Sequence, residues 1–152
     1  MNLHNKKGNE FHLQIVGYQF PDILNEYWDS NFLAVRVNGN YSARPWSFVD
    51  SCLTTFEVES LATWLEKLDS NKTSSPHISF TEPSPQFRVV KHKAGNFLLR
   101  ADLGYIFRKK MPDIFGDKKT IHLYFPLGEI DLLNQAHLLR EQLKNYPQRV
   151  FR

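Results

Sequence analysis

The stretch Thr54-Thr55-Phe56-Glu57-Val58-Glu59-Ser60-Leu61-Ala62-Thr63-Trp64-Leu65-Glu66-Lys67-Leu68 decides the fold class of this chain. Thr54 followed three residues later by Glu57 fits a capping box, in which each side chain satisfies an amide the first helical turn leaves unpaired. Val58, Leu61, Leu65 and Leu68 then recur at helical spacing, with Ala62 and Trp64 flanking the stripe. A helix with one apolar stripe has to bury it against another layer, and the sequence on both sides reads as strand. Trp46 to Leu53 places Trp46, Phe48 and Cys52 on one side of a strand. Leu33, Val35 and Val37 alternate with Ala34, Arg36 and Asn38 up to an Asn38-Gly39-Asn40 turn. Phe11, Leu13 and Ile15 alternate with His12, Gln14 and Val16 until Gly17-Tyr18-Gln19-Phe20-Pro21 ends the run, since Pro21 cannot donate to a ladder.

Downstream, Asp69 to Pro76 breaks the helix and reads as the most flexible interior segment. Ile78 and Phe80 form a short strand, Phe87 and Val89 another, and Phe97, Leu99, Ala101 and Leu103 return after a Lys93-Ala94-Gly95-Asn96 turn. Ile121, Leu123 and Phe125 make the last strand. A second helix starts near Gly128 or Glu129, buries Leu132, Leu133, Ala136, Leu139 and Leu143, and stops at Pro147. Runs of strands punctuated by two helices predict an α+β domain over residues 11–152, behind a polar N-terminal tail of residues 1–10. The expected architecture is a curved antiparallel sheet of about six to seven strands with two helices packed on one face. The other face would be partly exposed and carry Arg36, Arg88 and Arg100.

Composition narrows the class. With 152 residues, 41% hydrophobic and 23% charged, the chain has enough apolar content for one core and is not a disordered sequence. No apolar run approaches the roughly 20 residues a membrane helix needs, and the start of the chain lacks the apolar core of a signal peptide. A single cysteine, Cys52, cannot make an internal disulfide, which fits a reducing cytoplasm. The net charge of +3 is unevenly shared. Residues 1–75 hold six basic against nine acidic residues, and residues 76–152 hold thirteen against seven. Such a dipole can steer a charged partner; a solvated surface with an accidental gradient is the plainer reading.

The search for catalytic chemistry is mostly negative. The sequence has no Gly-rich phosphate loop, no His-Glu-x-x-His and no Gly-x-Ser-x-Gly. His4, His12, His77, His92, His122 and His137 are scattered; His12 and His122 lie on polar strand registers and could meet across a sheet, but no metal site is expected. Cys52 reads as a small buried hydrophobe. Asp50 interrupts the apolar register between Phe48 and Cys52, either as a structural carboxylate bonding loop amides or an arginine, or as a lone functional acid. Arg108 to Lys119, with Tyr105, Phe107 and Phe115 nearby, could clamp a phosphate backbone while rings stack on bases, or simply form a solvated hairpin tip. The loop between the first two strands is the most unusual surface feature. It sets Asp22, Glu26 and Asp29 beside Tyr18, Phe20, Tyr27 and Trp28, a combination of contact area and negative charge suited to a basic partner.

Several segments, in order, carry a family resemblance. They are Gly17-Tyr18-Gln19-Phe20-Pro21; Tyr27-Trp28-Asp29-Ser30-Asn31-Phe32-Leu33; Trp46; Phe56-Glu57-Val58-Glu59-Ser60-Leu61 with Trp64-Leu65; Phe80-Thr81-Glu82-Pro83; and Leu143-Lys144-Asn145-Tyr146-Pro147-Gln148-Arg149. Together they resemble the WapI family of immunity proteins over nearly the whole domain. The resemblance implies a non-catalytic protein, without cofactor, that protects a bacterium from the C-terminal toxin module of a contact-dependent wall-associated protein. That module is typically a nuclease acting on tRNA and is bound in the cytoplasm. The chain departs from the usual acidity of nuclease inhibitors, so either the partner is not a basic nuclease or only the acidic N-terminal half faces it. The expected partner surface is Asp22, Glu26, Tyr27, Trp28 and Asp29, on a monomer or weak dimer with no membrane or nucleic-acid partner. The alternative is an RNA-binding protein or small hydrolytic enzyme using the basic C-terminal half.

Overall fold

The computed structural model describes residues 1–71 and 75–151, so Lys72, Thr73 and Ser74 of the expected flexible segment lie outside the described residues. Four strands, β1 (Asn2–His4), β2 (Glu10–Tyr18), β3 (Phe32–Tyr41) and β4 (Arg44–Thr54), pair antiparallel in chain order. Alternate residues line their inner face: Leu3, Phe11, Leu13, Ile15, Leu33, Val35, Val37 and Trp46 are all buried. The first ten residues are therefore not a tail. Met1 and Leu3 are core, because an apolar residue at every second position makes even three residues worth pairing, with Leu3 opposite Phe11 and Met1 bonded to Leu13.

β4 runs straight into α1 (Thr55–Asp69), and the chain then crosses to a second antiparallel sheet. That sheet holds β5 (His77–Ile78), β6 (Gln86–Lys91), β7 (Phe97–Leu103) and β8 (Ile121–Pro126), again in chain order. Between β7 and β8 stand two short helices, α2 (Tyr105–Lys110) and α3 (Pro112–Phe115); after β8 a single 3-10 turn leads to α4 (Leu132–Asn145). The class is α+β as expected, but among the described residues the architecture is two four-stranded sheets with four helices, not one curved sheet of six to seven strands with two. Both inner faces feed one core, where Phe11 of the first sheet meets Phe87 of the second edge-on, ring centroids 5.6 Å apart. The reason for the difference is simple: a period-2 pattern says which face of a strand is buried, not which strand it pairs with.

The capping box is present as read. Thr54 Oγ1 accepts from the Glu57 amide at 3.3 Å, and Glu57 Oε2 accepts from the Thr54 amide at 2.8 Å. The other Glu57 oxygen accepts from the Thr81 amide at 2.6 Å, tying the start of α1 to the segment that precedes β6. α1 and α4 pack on each other across Arg140, whose guanidinium reaches Glu59 at 2.8 Å, Thr63 at 3.2 Å and Glu66. In α4, Leu132, Ala136 and Leu139 are buried, Leu143 is half-buried, and Leu133 is 52% exposed against expectation. The helix begins at Leu132, a few residues later than expected, capped by Asp131; Leu133, one residue on from Leu132 and so about 100° round the helix, lies off the stripe that Leu132, Ala136 and Leu139 bury.

Two polar residues take part of that stripe. Gln135 and Gln142, seven residues apart and so two turns along one face, turn towards the edge of the first sheet. Gln135 Oε1 accepts from the Asn2 amide at 2.7 Å, and Gln142 Oε1 accepts from the Ile15 amide at 2.6 Å. β1 covers the start of β2, ending where the Met1 and Leu13 backbones bond; beyond that point a glutamine side chain supplies the next partner.

β3 continues through the expected Asn38-Gly39-Asn40 turn, and the reversal falls at Ser42 and Ala43, both in the left-handed region at φ 49° and 62°. Gly39 is there for close approach instead. A Cβ on it would lie 2.0 Å from the Glu10 carbonyl oxygen and 2.9 Å from Cζ2 of Trp46, so Trp46 packs where a side chain would otherwise stand. Asp50 sits beside a β-bulge, where the pairing jumps from Val35–Asp50 to Leu33–Leu53; it is half-buried, and the bulge explains its place in the register. Cys52 is buried, and burial, reinforced by the charge of Asp50, pushes its thiol up to about 12. The native protein is expected to leave Cys52 unmodified by a disulfide-based thiol reagent at pH 8 and to react fully in denaturant; equal rates in both conditions would contradict the burial.

Candidate functional site

The segment that leaves β2 at Tyr18 and enters β3 at Phe32 is held from inside by two buried polar residues, Ser30 and Asn31. Ser30 Oγ accepts from the Glu26 amide at 3.0 Å. Asn31 donates through Nδ2 to the Tyr27 carbonyl at 2.8 Å and to the Val150 carbonyl at 3.3 Å. Its Oδ1 accepts from the Thr55 hydroxyl and from the Arg149 amide, both at 2.9 Å. One side chain thus joins the loop, the start of α1 and the chain after α4.

Arg149 completes the fastening. Its guanidinium lies 3.5 Å from the centroid of the Tyr18 ring and donates to the carbonyls of Pro21 at 2.9 Å, Ile23 at 3.1 Å and Phe20 at 3.4 Å. The Tyr18 hydroxyl in turn donates to the Pro147 carbonyl at 2.5 Å. Arg149→Ala removes the stack and three charge-assisted bonds, and is expected to cost about 1–3 kcal/mol. Faster amide exchange confined to residues 19–30 is the expected readout; unchanged exchange there would show that the loop holds its shape without Arg149.

On the outside, Asp22, Glu26 and Asp29 are exposed, and among the described residues none of the three is in an ion pair. Tyr27 is half-buried and stacks on Phe56 of α1 at 5.0 Å with ring planes 10° apart. Trp28 stands edge-on to both rings and is 41% exposed. The rings are therefore partly core and partly contact surface, with the acids around them wet. Leu24, in the same loop, is 64% exposed. The sequence offers Leu24 only as one more loop residue, and it marks Asn31, Ser30 and Arg149 only as members of a pattern. The segments Gly17–Pro21, Tyr27–Leu33, Phe56–Leu61 and Tyr146–Arg149 all meet at this place.

A family model described as the immunity protein WapI-like family matches residues 2–147. The chain belongs to that family. No curated protein and no solved structure matches it. Membership supports an immunity function.

The basic half is arranged differently from its sequence reading. Phe107 and Phe115 are buried in the core, Phe107 against Trp46 and Phe48, so neither ring can stack on a base; of the three rings only Tyr105 is exposed. Arg108, Lys109 and Lys110 form the exposed side of α2, a helix, not a hairpin tip. His12 and His122 lie in different sheets, so they do not meet across one. Among the described residues, no group of three or more His, Cys, Asp or Glu is placed to hold a metal ion, and no helix is long and apolar enough to cross a membrane.

Proposed function

We propose that this chain is a non-catalytic immunity protein that binds and neutralises a cognate toxin module, a nuclease, in the cytoplasm. It acts as a monomer or weak dimer and engages the toxin through Asp22, Glu26, Tyr27, Trp28 and Asp29. Family membership supports the immunity reading. The observation that carries the choice of surface is the loop's construction: three exposed carboxylates, in no ion pair among the described residues, around a partly exposed Tyr27–Trp28–Phe56 cluster, on a backbone fastened by Asn31 and Arg149. A preorganised backbone limits the entropy lost on binding, aromatic rings supply the desolvated centre, and the acids supply steering towards a basic partner. The experiment is co-expression with the toxin module of the same locus. Growth restored by this chain, together with suppressed RNA cleavage by the purified module when the chain is added, is the expected result. A chain that neither restores growth nor binds the module would sink the reading.

A further inference from the structure

The outer face of the second sheet carries an arrangement that the fold itself does not require. Residues alternate along each strand, so with Phe87, Leu99, Ala101, Leu103, Ile121, Leu123 and Phe125 in the core, the intervening side chains face outward. The strand register sets them in three rows: Gln86–Asp102–His122, then Arg88–Arg100–Tyr124, then Val90–Leu98–Pro126. His77 stands opposite Arg88 on the other side.

The middle row puts two guanidinium groups directly opposite each other, a pairing that costs stability unless something neutralises it. Asp102, the single carboxylate in these rows, is already engaged. It sits 2.7 Å and 3.0 Å from the Arg100 guanidinium and accepts from His122 Nδ1 at 2.5 Å. Arg88, half-buried, has no ion pair among the described residues. Beside it the face turns apolar. Leu98, Tyr124 and Pro126 floor a cleft of about 310 Å³ whose rim includes Lys6, Lys7 and His92, with Glu129 beside Lys6 as the one acid of the lining. Tyr124 is 42% exposed.

We infer that this face docks an acidic protein segment, one carboxylate meeting Arg88 and a neighbouring apolar side chain entering the Leu98–Tyr124–Pro126 cleft. The inference rests on the immunity reading in taking the toxin module as the protein that supplies the segment. Charge complementarity selects the occupant. A discrete carboxylate completes the row that Asp102 leaves unbalanced, whereas a nucleic-acid backbone, with a charge on every nucleotide, would run onto Asp102 in the adjoining row and find in the rows one exposed phenol ring, Tyr124, to stack on. The surface is also separate from the acidic loop. The cleft is flanked by Asn5–Asn9, just before β2, and the loop follows β2. A strand of that length puts the two roughly 30 Å apart, about the diameter of a small domain.

The arrangement predicts opposite effects on stability and binding from the same change. Arg88→Gln relieves the like-charge pair, so the melting temperature of the free protein stays level or rises, while affinity for the purified toxin module falls by about tenfold. Arg88→Glu and Tyr124→Ala should weaken binding at least as much, and the Arg88 effect should shrink at high salt. Titrations of the toxin module against the unmodified chain and these three variants, with circular dichroism melts of each, carry the test. If the unmodified chain binds and all three variants bind equally well, the docking face is wrong and the immunity reading stands. If the unmodified chain does not bind the module at all, it is the immunity reading that fails. If instead the unmodified chain binds single-stranded RNA at nanomolar concentration and Arg88→Glu abolishes it, the occupant is nucleic acid and the inference is overturned.

Discussion

With Asp22, Glu26 and Asp29 all reversed to Lys, the chain is expected to lose protection of cells against the cognate toxin while keeping its fold. The three carboxylates are exposed and, among the described residues, outside every ion pair, so their reversal breaks no intramolecular bridge. Surface changes of this kind usually fall within about 0.5 kcal/mol in stability. Against a basic partner the effect is much larger, because attraction becomes repulsion at three positions within eight residues. Charges buried against a partner are worth roughly 2–5 kcal/mol each when left unpaired, and rim charges act mainly on association rate. Association slowed at low salt and partly rescued by high salt is the expected signature, given a Debye length of about 8 Å at physiological ionic strength. A reversed chain that protects cells as well as the unmodified one would remove the loop from the interface and leave the outer face of the second sheet as the surface to test.

Asn31→Ala should be the most damaging single change to stability near the site. Asn31 is fully buried, and its truncation strips partners from the Thr55 hydroxyl, the Arg149 amide and the carbonyls of Tyr27 and Val150 at once. A net loss on the order of 3 kcal/mol follows from orphaning several buried groups. For a domain of this length that corresponds to roughly 6–12 °C in Tm. Because the same side chain orders the loop, protection should fall with it. Asn31→Asp keeps the acceptor and loses the donor, and so separates the two halves of the network: it should retain the Thr55 and Arg149 contacts and loosen Tyr27. A melting temperature within a degree of the unmodified protein for Asn31→Ala would show that solvent replaces these bonds freely.

The legible parts of this fold were those set by neighbours in the sequence. Thr54 and Glu57 are three residues apart and their capping box formed as read, and the strands of the second sheet from Phe87 to Phe125 fall where alternation puts them. What depends on distant partners was not legible. The division into two sheets and the meeting of Asn31 with Arg149 across 118 positions leave no periodic trace, and the alternation of Met1 and Leu3 is too short to read as a strand by itself. Gly39 invited a turn because glycine usually marks one; here the Glu10 carbonyl, and behind it the Trp46 ring, take the space a side chain would need. α2 and α3 are too short for helical periodicity to show, and Phe107 looked like a surface ring because basic residues follow it. In the loop, the acids and aromatics were visible from composition alone, while the residues that shape it were visible only as family pattern.

The two glutamines of α4 have a consequence for how the protein is made. Strands β1 to β4 emerge from the ribosome within the first 54 residues, but the side chains that close the edge of their sheet, Gln135 on β1 and Gln142 on β2, lie far downstream. At typical elongation rates of about 5–20 residues per second, several seconds separate the two. During that interval the Ile15 amide is an open template for another strand, and a nascent chain released early would keep it open permanently. Completing the sheet is therefore a late step in synthesis.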